Sequence, residues 1–544
     1  MTHLTGKNRL FGVFATCFGS IFLVSGCTTE PPKPDTVTIA MLAEPPDLNA
    51  TKATDSESFF ILGHVMEGLT RAGSDGKPSP AVAESWEITD AGATFTLRSN
   101  AQWSDGKPVT AHDFVYAWRT VVDPKNASEY AFILFPIKNA EKIVSKKAPV
   151  DSLGVLALDA RTLKVTFEKP CGYFLSLTSF ATYFPVREDF HQLHGERYGA
   201  EANTLLYNGP FRLTQWVHGA SLKLEKNPTY WNASIVKLNA IQIPYITPDL
   251  SAQLNLYKDG KIDLVSLGKN TLKTAMQERF KMKKYSDGTV FYLEFNFAEG
   301  RITRNKNLRK SIQYVLDGEE FVGRVISIPG TLVGTSVIPT WIAGKNGLFR
   351  EDYPIQSVKP NLALAKHHLA EAMKELGLKT PPTLVWLTGD SPGASKEAEY
   401  FQNLLSSKLG ITLKIDKQIF KQRLAKMSAG EFDVVSAGWG PDYNDPMTFA
   451  DLKTSWNENN RGRWKNAQYD ELIRKAQSTT KNTVRMDSMA AAEKILLEEL
   501  PILPLYERSV IYTQSDWLAN VGRRAVGFDP DLTTATTRDE TAKN

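Results

Sequence analysis

The segment WSDGKPVTAHDFVYAW, residues 103–118, divides into a turn and an amphipathic helix. Phe114, Ala117, Trp118 and Val121 share one face of that helix, the spacing of a helix that buries one side. Thr110 stands at the N-cap position, and Asp113 three residues later completes a capping pair. Two other segments are as rich in aromatic and turn-forming residues. They are Asn227-Pro228-Thr229-Tyr230-Trp231 and Ala437-Gly438-Trp439-Gly440-Pro441-Asp442-Tyr443-Asn444-Asp445-Pro446. Singly, they read as a strand-terminating turn and a glycine-rich loop.

Outward from these segments the patterning is mixed. Thr36 to Met41 reads as a strand. Leu163, Val165 and Phe167 alternate with Lys164 and Thr166, and Leu222 and Leu224 repeat the period of two. The second half alternates strand and helix more regularly. It has a strand over 383–387, a helix over 398–409 stopped by Gly410, and a strand over 411–415. Phe432 to Val435 reads as a buried strand entering the glycine-rich loop, and 484–500 as a long helix ended by Pro501. The fold class expected is α/β: a mixed first half and a βαβ-like second half.

The N-terminus has its own logic. Lys7 and Arg9 precede an uncharged run from Leu10 to Leu23, then Val24-Ser25-Gly26-Cys27. The run is too short to span a bilayer comfortably but suits a signal-peptide core. A small residue before a cysteine resembles the lipobox of bacterial lipoproteins. That resemblance implies a signal peptide over 1–26, lipidation of Cys27 and anchoring to a membrane. Residues 27–35, with three prolines, form a tether. Removing 1–26 lowers the net charge from +4 to +2, which argues against a nucleic-acid partner. Past the signal no apolar run could form a second membrane span. Cys171 is then the one thiol left, so core burial rather than a disulfide must stabilise the fold.

Catalytic motifs are scarce. There is no phosphate-binding glycine loop and no H-E-x-x-H. His367 and His368 are adjacent on a helix and cannot point the same way. Gly389-Asp390-Ser391-Pro392-Gly393 matches the G-x-S-x-G hydrolase pattern. A nucleophile elbow needs the N–H of the residue after serine, and Pro392 has none. A secreted hydrolase is therefore disfavoured, and no cofactor or metal is expected.

Together and in order, the three aromatic segments closely resemble the extracytoplasmic solute-binding proteins of peptide ABC transporters, the oligopeptide- and dipeptide-binding family. Asn208-Gly209-Pro210-Phe211 and the helix from Arg309 to Asp317 add to the match, which runs from about Thr36 to Phe528. The resemblance implies a two-lobed clamshell with mixed sheets. Lobe one would comprise a discontinuous domain (36–60, 186–293 and 508–544) and an inserted smaller domain (61–185). Lobe two would span 294–507, with hinge crossings near Tyr292 to Asn296 and near Leu505 to Ser509. The function implied is a peptide receptor that delivers its ligand to an ABC transporter permease, working as a monomer outside the cytoplasm. A receptor on the same scaffold for cell-wall peptide, glutathione, haem or a nickel chelate is the alternative.

The resemblance also implies a site. Gly438 and Gly440 would let a ligand backbone approach closely, Trp439 would wall a side-chain pocket, and Asp442 would pair with the peptide's ammonium. Tyr116 matches a family tyrosine that contacts peptide from the smaller domain, and Asn296 completes the candidate set. Ser436 and Met427 stand where tripeptide-preferring relatives carry arginines for the terminal carboxylate, with Lys426 and Arg423 nearby. Thr289 and Gly440 occupy positions that some relatives join by a disulfide. From the lipobox, Cys27→Ala should leave an unprocessed precursor that incorporates no labelled fatty acid, and normal processing of that variant would refute the anchor.

Overall fold

Met282–Phe295 and Ile502–Gln514 pair antiparallel with each other, and the rest of the architecture follows from that pairing. Both carry nearly continuous buried runs, Thr289 to Phe295 broken at Phe291 and Ile502 to Glu507 unbroken. Such runs suit strands covered on both faces. The computed structural model describes residues 35–73 and 76–537. Cys27 and most of the tether lie outside these residues.

The register of the two long strands starts with Met282 opposite Thr513 and reaches Ser286 opposite Ser509, then resumes with Val290 opposite Glu507. Gly288 sits in this step at φ 74°, in the left-handed region that favours glycine. Before the step, Leu264–Leu267 flanks Ile502–Gln514; after it, Leu332–Val333 does. From Val290 onward Met282–Phe295 gains Val434–Trp439 as a neighbour. The change of partners thus falls at 286–290 on one strand, ahead of the 292–296 stretch that the resemblance suggested, and at 507–509 on the other. Beyond it lie Thr383–Gly389 and Thr412–Gln418, parallel strands joined by the helix Pro392–Leu409. On the other side lie Thr36–Met41, Ala240–Ile246, Ser221–Lys226 and Phe211–Val217. A separate antiparallel sheet of four strands, drawn from 83–97 and 155–166, packs against the helix Ala111–Val122.

The sequence segments singled out above build this frame. Asp113 Oδ2 accepts the Thr110 N–H at 2.8 Å and Trp103 Nε1 at 3.1 Å, so one carboxylate caps the helix and ties the turn to it. Trp103, Phe114 and Trp118 are fully buried. Tyr230 Oη and Trp231 Nε1 both donate to the Glu67 carboxylate, at 2.7 and 2.5 Å, and Arg71 stands 3.6 Å from it. Asn208 brackets the same residue, accepting from Glu67 N–H and donating to Glu67 O. A Cβ on Gly209 would come 2.6 Å from the backbone of Met66 and Val65, so that site requires glycine.

Of the boundaries that differ from those read in the sequence, two bear on the motifs singled out above. The helix expected over 398–409 begins at Pro392, because Ser391 accepts from Ala394 N–H as N-cap and proline suits the first turn. This is the fate of the hydrolase-like pattern: a helix start. The strand expected at 432–435 runs on through Gly438 to Trp439, because Met282–Phe295 supplies a pairing partner that local propensity cannot show.

Glu67 is 2% exposed on its side chain and holds three donors at once. Replacing it by leucine should cost about 3–5 kcal/mol, since Arg71, Tyr230 and Trp231 all lose a buried partner. Thermal unfolding should show a clearly lower Tm for Glu67→Leu; an unchanged Tm would remove this hub from the account.

Candidate ligand-binding cleft

Val434–Trp439 places the glycine-rich segment. On one side it pairs with the long strand as far as Val290 opposite Trp439. On the other, its pairing with Thr383–Gly389 stops at Leu387 opposite Val435. Beyond Val435 that edge has no strand beside it among the described residues. Gly438 is exposed there, and a Cβ on it would come 2.9 Å from the Phe291 ring. At Gly440 a Cβ would lie an ordinary 3.5 Å from Thr289 Oγ1. Positions 289 and 440 are thus neighbours.

Trp439 and Asp442 face an aromatic wall built from a distant part of the chain. The Tyr130 ring lies nearly parallel to Trp439, with centroids 6.2 Å apart at 20°. It is itself packed by Phe59, Phe132 and Phe180. Tyr130 Oη donates to Asp442 Oδ1 at 3.2 Å. Tyr173 stacks on Tyr443 at 5.5 Å and 9°, and the Arg485 guanidinium lies 5.0 Å from the Tyr173 ring. Trp439 Nε1 is enclosed and has no hydrogen-bond partner among the described residues.

Three carboxylates meet in this region, and one has a cation. Asp445 Oδ1 receives Arg485 Nη2 at 2.6 Å. Among the described residues, neither Asp442 nor Asp451 has an ion-pair partner. Burial pushes the Asp442 carboxyl well above its ordinary range, Asp451 adds to the shift, and the Tyr130 hydroxyl opposes it. Burial and then Asp445 push Asp451 the same way. Such a site is short of positive charge. Farther along, Glu57 is pushed up to about 8 by burial and by Asp55, with Arg508 opposing.

Other contacts join the two walls. Arg461 Nη2 meets Glu129 Oε2 at 3.1 Å, and Ser428 Oγ donates to Glu129 Oε1 at 2.9 Å. At the rim, Arg474 grips Glu141 bidentately at 2.7 and 3.0 Å, both side chains nearly half exposed. Met427 and Ser436 are not bare replacements for arginine. Arg423 Nη1 lies 3.8 Å from the Met427 sulfur and donates to Ser436 O at 3.2 Å, while Arg461 Nη1 lies 3.9 Å from the same sulfur. Lys426 instead pairs with Asp416 at 2.5 Å.

Two sequence candidates have other tasks. Asn296 is fully buried, donating to Gly430 O and Phe432 O and accepting from Ala298 N–H. Its hydrogen-bonding capacity is spent on the backbone, so it is dropped from the ligand set. Tyr116 is bonded through Oη to His191 Nδ1 at 2.7 Å, and its ring meets the edge of His191. The tyrosine that faces Asp442 is Tyr130, which lies outside any amphipathic pattern and was not singled out from sequence. Glu129 and Arg461 escaped because each partners the other from 332 residues away, and Asp451 because it carries no motif of its own; Arg423, noted only as lying near Met427, reaches the Ser436 carbonyl. Among the described residues no group of three or more histidine, cysteine or acidic side chains could hold a metal ion, and no helix is long and apolar enough to cross a membrane.

The family model of the bacterial extracellular solute-binding proteins, family 5, matches residues 77–461. The chain belongs to that family. It is 32% identical over 487 residues to the dipeptide-binding protein DppE of Bacillus subtilis, covering 89% of each chain. A solved structure of Listeria monocytogenes OppA bound to peptide superposes with a TM-score of 0.87 at 32% identity, covering 93% of this chain and 99% of that one. The murein tripeptide binding protein MppA of Escherichia coli gives 0.84 at 28% identity, covering 92% and 98%. Its unliganded open form gives 0.62 at 29% identity, covering 93% and 98%. The fold is thus the two-lobed α/β fold of these binding proteins.

The uncompensated carboxylates carry a measurable sign. Asp451 is 5% exposed, and its folded-state pKa lies above its unfolded one. Its stability contribution is therefore present in acid and lost as pH rises through the folded value. Without ligand, Asp451→Asn should raise the Tm at alkaline pH, and the gain should fade in the acid range. A Tm difference independent of pH would contradict this reading.

Proposed function

We propose that the protein is an extracytoplasmic receptor that captures peptides in extended form between its two lobes. It passes them to the permease of an ABC transporter and is anchored to a bacterial membrane through lipidated Cys27. It acts as a monomer with no chemistry of its own. The observation that carries this reading is the placement of Asp442. A partly buried carboxylate with no ion-pair partner among the described residues stands three residues past the open edge of Val434–Trp439. A peptide can add to such an edge as a further strand, its main chain bonding to the exposed groups beside Gly438. Its α-ammonium then falls at Asp442, with Tyr130 and Trp439 forming the walls of the first side-chain pocket.

The domain limits fit a clamshell. Residues 61–185 supply Tyr130, Tyr173, Glu129 and Glu141, and 294–507 supplies Trp439, Asp442, Tyr443, Arg461 and Arg474. The higher score against MppA than against its unliganded open form supports a closed arrangement here. Closure is favoured by any ligand that touches both lobes, since such a ligand has more contacts in that state.

The test pairs Asp442→Asn with N-acetylation of the peptide. Removing either charge from a buried pair should cost roughly 3–5 kcal/mol, about two to three and a half decades of affinity. With both removed, the second loss should largely vanish, because no charge is left unpaired. Titration calorimetry on the four combinations decides: additive losses would make Asp442 a turn residue.

A further inference from the structure

Glu129 and Tyr130 are consecutive, yet they meet chemically opposite parts of the facing lobe. Tyr130 donates to Asp442, where the ligand's ammonium is placed above. Glu129 meets Arg461 and Ser428. The Arg461 region is a built anion site. Arg461 is 7% exposed, its Nε has no hydrogen-bond partner, and its Nη1 shares the Met427 sulfur with Arg423. Two guanidinium groups held together repel, and Arg423 is held below its usual range by burial and by Arg461. Among the described residues, one carboxylate pairs with either of them, and it comes from across the cleft: Glu129.

We infer that Glu129 stands in for a ligand carboxylate: cleft closure seats it on Arg461, so the protein itself neutralises this site and the receptor does not read the C-terminus of its ligand. This rests on the peptide reading given above. The two sites are unequal. Asp442 has no cation of its own and demands one from the ligand, whereas Arg461 already has its anion. Selection therefore occurs at the amine end, and peptides that end differently, or that run past Arg461, are accepted alike. The replacement of arginine by Ser436 and Met427 fits this arrangement. Guanidinium groups are still present, but Arg461 is turned toward the protein's own Glu129, and Arg423 toward the Met427 sulfur and the Ser436 carbonyl.

The test uses a library of short peptides, each made both as free acid and as C-terminal amide. The full chain is incubated with the mixture, and retained species are identified by native mass spectrometry. Wild type should retain the two forms almost equally. Glu129→Gln and Glu129→Ala leave Arg461 without a counter-charge, so both should favour the acids by about tenfold or more. The Glu129 side chain is one-third exposed, so neither change should impair folding, and a melting curve checks this. A wild type that already prefers acids as strongly as the variants would overturn the inference, as would variants that remain indifferent. Either result would leave peptide binding itself intact. Failure to retain any peptide, acid or amide, would remove the peptide reading and this inference with it.

Discussion

The pairing of Met282–Phe295 with Ile502–Gln514 is the constraint on which the rest depends. The two strands belong to both sections of the sheet, and each changes its outer partner at the same step. Beyond the step, these two strands and Leu332–Val333 carry the sheet onward. Part of the buried interior there, including Trp386 and Phe401, forms a cluster of its own, whereas Leu387, Val435, Tyr443, Met447 and Phe449 belong to the same cluster as Tyr130 and Tyr173. Gly288 provides backbone freedom where the register slips.

The charges of the cleft make sense as a set. Several buried ions are compensated within their own neighbourhood: Lys453 with Glu294, Arg485 with Asp445, Arg71 and Arg524 with Asp531. Asp442 and Asp451 have no ion-pair partner among the described residues, and burial pushes both carboxyls up. Perturbed groups of this kind are common at functional sites, and the proposed ligand site rests on them.

Much of this was legible in the sequence, for reasons that differ by residue. The Thr110–Asp113 cap and the helix behind it were readable because helix signals are local. Strands were readable wherever apolar residues alternate or run together, as at Thr36–Met41 and, two residues short of its end, at Thr383–Gly389. The 432–435 strand came out short because a glycine-tryptophan-glycine run has no strand signature of its own; pairing with a partner over a hundred residues away extends it. In the cleft, Trp439 and Asp442 were singled out by resemblance, not pattern, and their role belongs to the proposal. Asn296 failed because sequence cannot tell a buried amide that serves the backbone from one that faces a ligand. Tyr130 and Glu129 were missed because their importance lies in what stands opposite them, about three hundred residues on.

The rim pair between Glu141 and Arg474 bears on how such a protein lets go. Both side chains are nearly half exposed, so water competes for every bond, and pairs of this kind are worth roughly 0–1 kcal/mol. The inner contacts are ring faces, hydrogen bonds and the Arg461–Glu129 ion pair. The rim therefore does little to hold the cleft shut, and release is decided deeper, where Tyr130 and Tyr443 belong to one buried cluster. Residence time then depends on what a bound molecule adds to those inner contacts.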